Sequence, residues 1–174
     1  MSDGGGAAAG RWTWREAPRP PGPAVVVDLD GVLSDAGHRQ WLLSGGRRDW
    51  EGFFDACGED PLIEEGGRLL ELLDPALSVV LLTGRPERVQ RATLEWLSRH
   101  EVRWDLLLMR DAGDYSAARA FKARSVGELR AYGFDLRLAL EDDRRNWEMF
   151  RAEGIPCLYL HSGYYEQAGP AHGR

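Results

Sequence analysis

The sequence predicts an α/β fold of three layers, a five-stranded parallel sheet with helices on both faces. Three observations predict it: short apolar runs recur along the chain, amphipathic helical stretches alternate with them, and Gly, Pro or Asp punctuates the junctions. The 174 residues, 43% hydrophobic and 29% charged, suffice for one compact domain with a core and leave little for a second.

Residues 1–23 are rich in Gly, Ala and Pro (GGGAAAG, then APRPPGP) and cannot bury enough apolar surface to fold alone, so they read as a flexible tail. A single domain is expected over residues 24–174, opening with the β-branched run AVVVDL, a buried strand over Ala24 to Leu29. From Ser34 to Leu77 there are 44 residues. A crossover helix over Ile63 to Leu73, stopped by Asp74-Pro75, takes about a dozen and leaves roughly 30 for an insert at about 35–62. That is a small flap, which leaves a site open to a large substrate. A strand follows over Ser78 to Leu82, then a helix over Pro86 to His100 with Pro in its first turn. Trp104 to Met109 reads as the third strand, and Ala117 to Tyr132 as a helix with Ser116 as N-cap. Leu136 to Leu140, a helix over Asp143 to Glu153 stopped at Gly154, and a last strand over Pro156 to Leu160 complete the alternation.

Net charge of -6 is the wrong sign for a broad face that neutralises long nucleic acid, though a local basic site fits it. No run reaches the roughly 18 apolar residues of a membrane span, and MSDGGGAAAG lacks the make-up of a secretory signal. A soluble cytoplasmic protein without membrane attachment is expected. Cys57 and Cys157 lie far apart without C-x-x-C spacing, so they read as buried thiols. Of 22 basic residues, 21 are arginine and Lys122 is the one lysine. A compact ammonium and a planar fork are not interchangeable where a point charge is needed.

In parallel sheets ligands bind beyond the carboxyl ends of the strands. The first strand ends in Asp28-Leu29-Asp30-Gly31, the second in Thr83-Gly84-Arg85, the fourth in Glu141-Asp142-Asp143-Arg144, and Lys122 lies in the helix before that fourth strand. Several carboxylates at one edge repel unless a cation joins them, and hard oxygen ligands suit Mg²⁺. An aspartate there can attack a phosphoryl group while a lysine neutralises its oxygens, and a second aspartate two residues on can protonate the leaving oxygen and then activate water.

DLDGV, LLTGR, Lys122 and EDD, in that order, resemble the four motifs of the haloacid dehalogenase superfamily, which implies a Rossmann-like fold and phosphatase chemistry. The resemblance implies Asp28 as nucleophile and Asp30 as general acid and base. It implies Thr83, Gly84, Arg85 and Lys122 as phosphate ligands, with Mg²⁺ held by Asp28, the Asp30 carbonyl and Asp142, and Asp143 on the metal or its water. The stretches LLLMRDAGDYSAARAFK and LALEDDRRNWEMFRAEGIPCLYL are more closely similar to the phosphatase domains of polynucleotide kinase/phosphatases, nucleic-acid end-repair enzymes. There Arg39 and Arg85 match phosphate-handling arginines. The likeness implies removal of a terminal phosphate, most simply a 3'-phosphate, from nucleic-acid ends, with a kinase or ligase as partner. Where that family carries Arg and Asp after G-D, this chain has Ser116, Ala117 and Ala118, which leaves a nucleotidase or small-phosphoester phosphatase as the alternative, with a non-catalytic phosphate-binding module last.

Other residues have simpler readings. His38, Arg88, Arg144 and Arg145 suit a solvated surface, Asp114 a turn, and Trp96 and Trp147 the core. Trp41, Trp50, Phe53 and Phe54 of the insert suit either its own packing or a substrate wall.

Overall fold

The computed structural model describes residues 12–166. Its sheet contains β1 (Trp12–Trp14), β2 (Pro23–Val27), β3 (Ser78–Pro86), β4 (Leu106–Arg110), β5 (Asp135–Glu141) and β6 (Cys157–Tyr159), in the order β1-β4-β3-β2-β5-β6. Strands β2 to β6 are parallel and correspond to the five expected runs. β1 is an antiparallel edge strand beside β4, with Trp12 opposite Leu108 and Trp14 opposite Leu106.

That sixth strand corrects the expected tail for residues 12–23. Trp12 and Trp14 pack on Tyr132 and Phe134, and Arg19 donates to the carbonyl oxygens of Pro75, Ala76 and Leu77. Tyr132 Oη donates to the Arg19 carbonyl at 2.6 Å. The aromatic pair supplies what the Gly- and Pro-rich composition lacks, an apolar anchor. Residues 1–11 lie outside the described residues.

Strand alternation divides the core in two. Val25, Val27, Val79, Leu81 and Leu107 face α2 (Glu64–Leu72) and α3 (Gln90–Arg99), which return Leu70, Trp96 and Leu97. Val26, Val80, Leu82, Leu106 and Leu108 face α4 (Ala118–Tyr132) and α5 (Arg144–Ala152), which return Phe121, Val126, Leu129, Met149 and Phe150. Each such large apolar side chain contributes about 1.5–3 kcal/mol. The helix ends follow local chemistry: Gly133 and Gly154 take φ of 109° and 75° after α4 and α5. Ser116 does not cap α4. Ala117 occupies that position without a side-chain bond, and the Ser116 N–H is held by Asp114 in the turn before it.

Between β2 and α2 lies the insert: a 3₁₀ segment over Ala36–Leu43, the short α1 (Trp50–Asp55), and a second 3₁₀ turn over Ala56–Glu59. Phe53 is buried and lies 4.1 Å from the Arg39 guanidinium carbon, whereas Trp41 and Trp50 stay exposed. Gly66 lets α2 press on the loop after β2, since a Cβ there would lie 2.1 Å from the Val32 carbonyl oxygen. Cys57 is buried as expected, Cys157 only half so, and both are free thiols.

Candidate active site

The carboxyl ends of β2, β3 and β5 gather the motif residues at one edge. Asp28 follows β2, and the chain then turns back on itself, the Leu29 carbonyl accepting from the N–H groups of Val32, Leu33 and Ser34. Gly31 makes the turn possible in two ways. Its φ is 81°, and a Cβ on it would lie 2.0 Å from Asp142 Oδ2, so no other residue fits beside that carboxylate.

Two carboxylates converge on the lysine, and a third lies beside them. Lys122, buried on α4, places Nζ 2.7 Å from Glu141 Oε2 and 3.2 Å from Asp28 Oδ1. Burial alone would lower the lysine pKa, but Asp28 and Glu141 more than offset this and hold it raised. Burial, and next the charge of Glu141, pushes the Asp28 carboxyl well up against the pull of Lys122. Asp142 is pushed up to about 8, chiefly by burial and then by Asp28, with Ser162 tempering the rise. Among the described residues neither Asp142 oxygen makes a hydrogen bond.

Asp28, Glu141 and Asp142 offer oxygens within 4.8 Å of one another. A buried set of three acids with one ammonium, two of its oxygens unpartnered, fits a hard divalent cation. The structure brings Glu141 into this set and not Asp143. Asp143 caps α5 instead, accepting from the Arg145 N–H at 2.9 Å and from its guanidinium at 2.8 Å. The helix terminus and Arg145 thus occupy the carboxylate that was expected at the metal.

A second cluster adjoins the first. Asp30 turns from the three acids towards Arg85 and Arg39, each with Nη2 2.6 Å from Oδ1. Burial would raise the Asp30 pKa, yet Arg85 and then Arg39 lower it below the ordinary carboxylate value. Both arginines continue to Asp60, Arg39 at 2.7 Å and Arg85 at 3.2 Å. Asp60 also accepts from the Ser34 hydroxyl at 2.5 Å and faces His38 Nε2 at 2.8 Å, so His38 is tied to the site's rim. Thr83 is buried, and its Oγ1 accepts from the Arg85 N–H at 3.2 Å, which leaves the hydroxyl proton to donate. Gly84 beside it lies close to Arg110. From the far end of the chain, Tyr164 Oη donates to Asp35 Oδ1 at 2.8 Å and ties the segment after β6 to the start of the insert.

Sequence reasoning missed Asp60 and assigned no role to Glu141. Asp60 carries no motif, and only the spacing of the insert could have suggested that its end returns to the site. The arginines read as surface charges pair locally: Arg88 with Asp55, Arg144 with Glu148 and Arg145 with Asp143. Trp96 is buried and its indole N–H donates to the Asp60 carbonyl at 2.7 Å, while Trp147 is half-buried against the Cys157 carbonyl.

The family model of the polynucleotide kinase PNKP phosphatase domain matches residues 22–165. No curated protein matches the chain. Among solved structures, a chain of the Pnkp1/Rnl/Hen1 RNA repair complex is similar at 26% identity with a TM-score of 0.68, covering 86% of this chain and 45% of that one. This chain therefore spans about half the length of that relative. The class C acid phosphatase from Bacillus anthracis with tungstate bound shares the fold at 16% identity and a TM-score of 0.58, over 84% of this chain and 69% of that one. A haloacid dehalogenase-like hydrolase from Streptococcus pneumoniae, SP0104, shares it at 12% identity and a TM-score of 0.51, over 87% and 92%. With four motifs converging on one sheet edge and a family match from just before β2 to the end of the described chain, this protein belongs to the polynucleotide kinase PNKP phosphatase-domain family of haloacid dehalogenase-type phosphatases.

Proposed function

We propose that the protein is a Mg²⁺-dependent phosphomonoesterase that removes a terminal 3'-phosphate from nucleic acid through an aspartyl-phosphate on Asp28. The observation that carries this reading is the buried Asp28 carboxylate 3.2 Å from Lys122 and grouped with Glu141 and Asp142 at an edge covered by only a small insert. Asp28, Glu141 and Asp142 would hold the Mg²⁺, whose charge would offset that of the phosphoryl oxygens.

An Asp28 oxygen bonds to phosphorus, the ester P–O bond breaks, and Asp30 gives its proton to the departing oxygen. Water then attacks the aspartyl-phosphate, Asp30 takes the water's proton, and Asp28 is restored as phosphate leaves. Lys122 supplies a point charge to the phosphoryl group, and Thr83 a hydroxyl donor. At rest Asp30 is held ionised by Arg85 and Arg39. A phosphate that draws those guanidinium groups away lets Asp30 take up the proton it must deliver, which ties acid catalysis to substrate binding.

The family match and the acidic net charge support an end as substrate, which needs a few local arginines and not a broad basic face. The relative in an RNA repair complex supports a kinase or ligase as partner. No helix among the described residues is long and apolar enough to cross a membrane, in keeping with a cytoplasmic site of action.

Phosphate release from 3'- and 5'-phosphorylated oligonucleotides and from 3'- and 5'-mononucleotides, each with Mg²⁺ and with chelator, tests the reading. The 3'-phosphorylated oligonucleotide should be cleaved fastest, and only with the metal. Faster release from mononucleotides would reassign the same residues to a nucleotidase, and no release from any phosphoester would leave a phosphate-binding module.

A further inference from the structure

Arg110, the last residue of β4, carries a positive charge with no ion-pair partner among the described residues. Its register partner is Pro86 at the carboxyl end of β3, which sets it at the same sheet edge as the motif residues. Among the described residues it makes no hydrogen bond or ion pair, and its Nε is buried without an acceptor. The acid that acts on it, Asp114, is committed elsewhere: its carboxylate accepts from Arg124 at 2.5 Å and from the Ser116 N–H at 2.9 Å. Arg110 is half-buried, and burial lowers its guanidinium pKa by more than the charge of Asp114 raises it.

Small residues let this charge approach the motif residues. A Cβ on Gly84 would lie 3.3 Å from Arg110 Nη2 and 3.9 Å from the Ala118 Cβ, so the guanidinium packs directly beside Gly84, with Ala118 next to that position. The Phe121 ring, 6.0 Å from the guanidinium carbon, backs it. Ala118 precedes Lys122 by four positions on α4, about one helical turn, so it and the lysine that meets Asp28 share a helix face. An acidic side chain at position 118 would come beside Arg110 and answer its charge.

We propose that Arg110, beside Gly84 and Ala118, forms a second anion site, which takes the phosphodiester joining the terminal nucleotide of the substrate to the one before it. The proposal rests on the nucleic-acid-end reading above. A guanidinium offers a fork of N–H donors that suits two phosphate oxygens, and an anion delivered by the substrate supplies the direct counter-charge that Arg110 lacks among the described residues. The site thereby separates a strand end, which carries that linkage, from a mononucleotide, which does not.

A neutral methylphosphonate at the terminal linkage of a short 3'-phosphorylated oligonucleotide is the probe. Wild type should lose about tenfold in kcat/KM, mostly through KM, when the linkage is neutral. Arg110→Ala should lose as much on the native linkage and nothing more on the neutral one, and should lose far less on a 3'-mononucleotide. Arg110→Lys should recover part of the loss, and melting curves should show both variants folded. Equal handling of native and neutral linkages by wild type would overturn the proposal. So would equal losses by Arg110→Ala on mononucleotide and oligonucleotide, which would place Arg110 on the reacting phosphate. Binding of the same two oligonucleotides ending in a 3'-hydroxyl, read by fluorescence anisotropy, judges the subsite without turnover: a preference of about tenfold for the native linkage that Arg110→Ala abolishes supports it, and no preference overturns it. Absence of phosphate release from every oligonucleotide, with that preference intact, would overturn the phosphatase reading alone.

Discussion

The Arg85 guanidinium lies across the Asp30 carboxylate, with Nη2 2.6 Å from Oδ1 and Nε 3.2 and 3.3 Å from the two oxygens. Arg85 is fully buried, so the pair is little screened, and Asp60 behind it shares the same guanidinium. The proposed acid and base at this edge is thus set by arginines, while the proposed nucleophile and metal ligands are governed by the lysine on the other side. The two clusters have opposite responses to change.

Replacing the proposed nucleophile tests the chemistry apart from the fold. Asp28→Asn should abolish phosphate release from every substrate while leaving the melting temperature unchanged or raised. The amide removes one of three crowded buried carboxylates and cannot form the acyl phosphate. Residual turnover above background in the purified variant would remove the aspartyl-phosphate mechanism.

Lys122→Arg keeps the charge and replaces a point donor by a longer planar one in a buried slot. We expect a loss of at least about tenfold in kcat, equivalent to roughly 1.4 kcal/mol of barrier. Near-normal steady-state kinetics would mean the shape of the cation at this position is immaterial.

Asp60→Asn should act at a distance from the reacting atoms. Removing one partner from a buried ion-pair network costs about 3–5 kcal/mol, so denaturant melts should show a large loss of stability. With Arg39 and Arg85 less firmly placed, activity should fall on all phosphoesters alike, as it should in Arg39→Ala. A variant with normal stability would show that Ser34 and His38 suffice to hold the network.

The pH dependence of stability carries a defined sign. The Asp142 pKa is raised in the folded protein to about 8 from an ordinary value near 3.8, so the folded state binds the extra proton between those values. Stability contributed by this group is present at low pH and is lost as pH rises towards about 8. Without divalent metal, Asp142→Asn should gain melting temperature relative to wild type as pH goes from about 5 to about 8. Mg²⁺ should stabilise wild type more at the higher pH, where the proton no longer competes. A difference between variant and wild type that is constant with pH would contradict the burial of this carboxylate.

Trp41 stands 70% exposed, so removing it should change stability by no more than about 0.5 kcal/mol, whereas Trp50, 48% exposed, packs on Phe53 and Phe54 and its loss should cost about 0.5–1.5 kcal/mol. Trp41→Ala and Trp50→Ala should hurt an oligonucleotide more than a small generic phosphoester, since exposed rings offer stacking to bases and nothing to a phosphate. Equal kinetics on both substrates would exclude the insert as a wall for the strand.

The strands that build the site were legible because two are unbroken β-branched or leucine runs and the third, β5, alternates leucines with Arg137 and Ala139, and in a parallel sheet such runs deliver their next residues to one edge. β1 was not. Three residues inside a Gly- and Pro-rich stretch have no periodicity, and their strand state comes from pairing with β4, nearly a hundred positions away. Asp28, Asp30, Thr83 and Lys122 could be placed by motif because each adjoins a regular element. That Glu141 and not Asp143 joins the buried acid cluster follows from β5 running through Glu141 and α5 starting at Arg144, because the residue before a helix spends its carboxylate on the helix's own N–H groups. Asp60 was hidden for another reason: its partners lie on three separate segments, and charge pairing over such distances leaves no local signature.

The short edge strand also bears on how the domain could be excised. The family match begins at residue 22 and so leaves out β1, whose three residues cover the outer side of β4. A fragment begun there would keep every residue of the catalytic edge but present the bare backbone of Leu106 to Arg110, a leucine-rich ribbon open to strand addition from another copy. Its defect would be clumping that grows with concentration, a colloidal failing in a molecule whose chemistry was untouched.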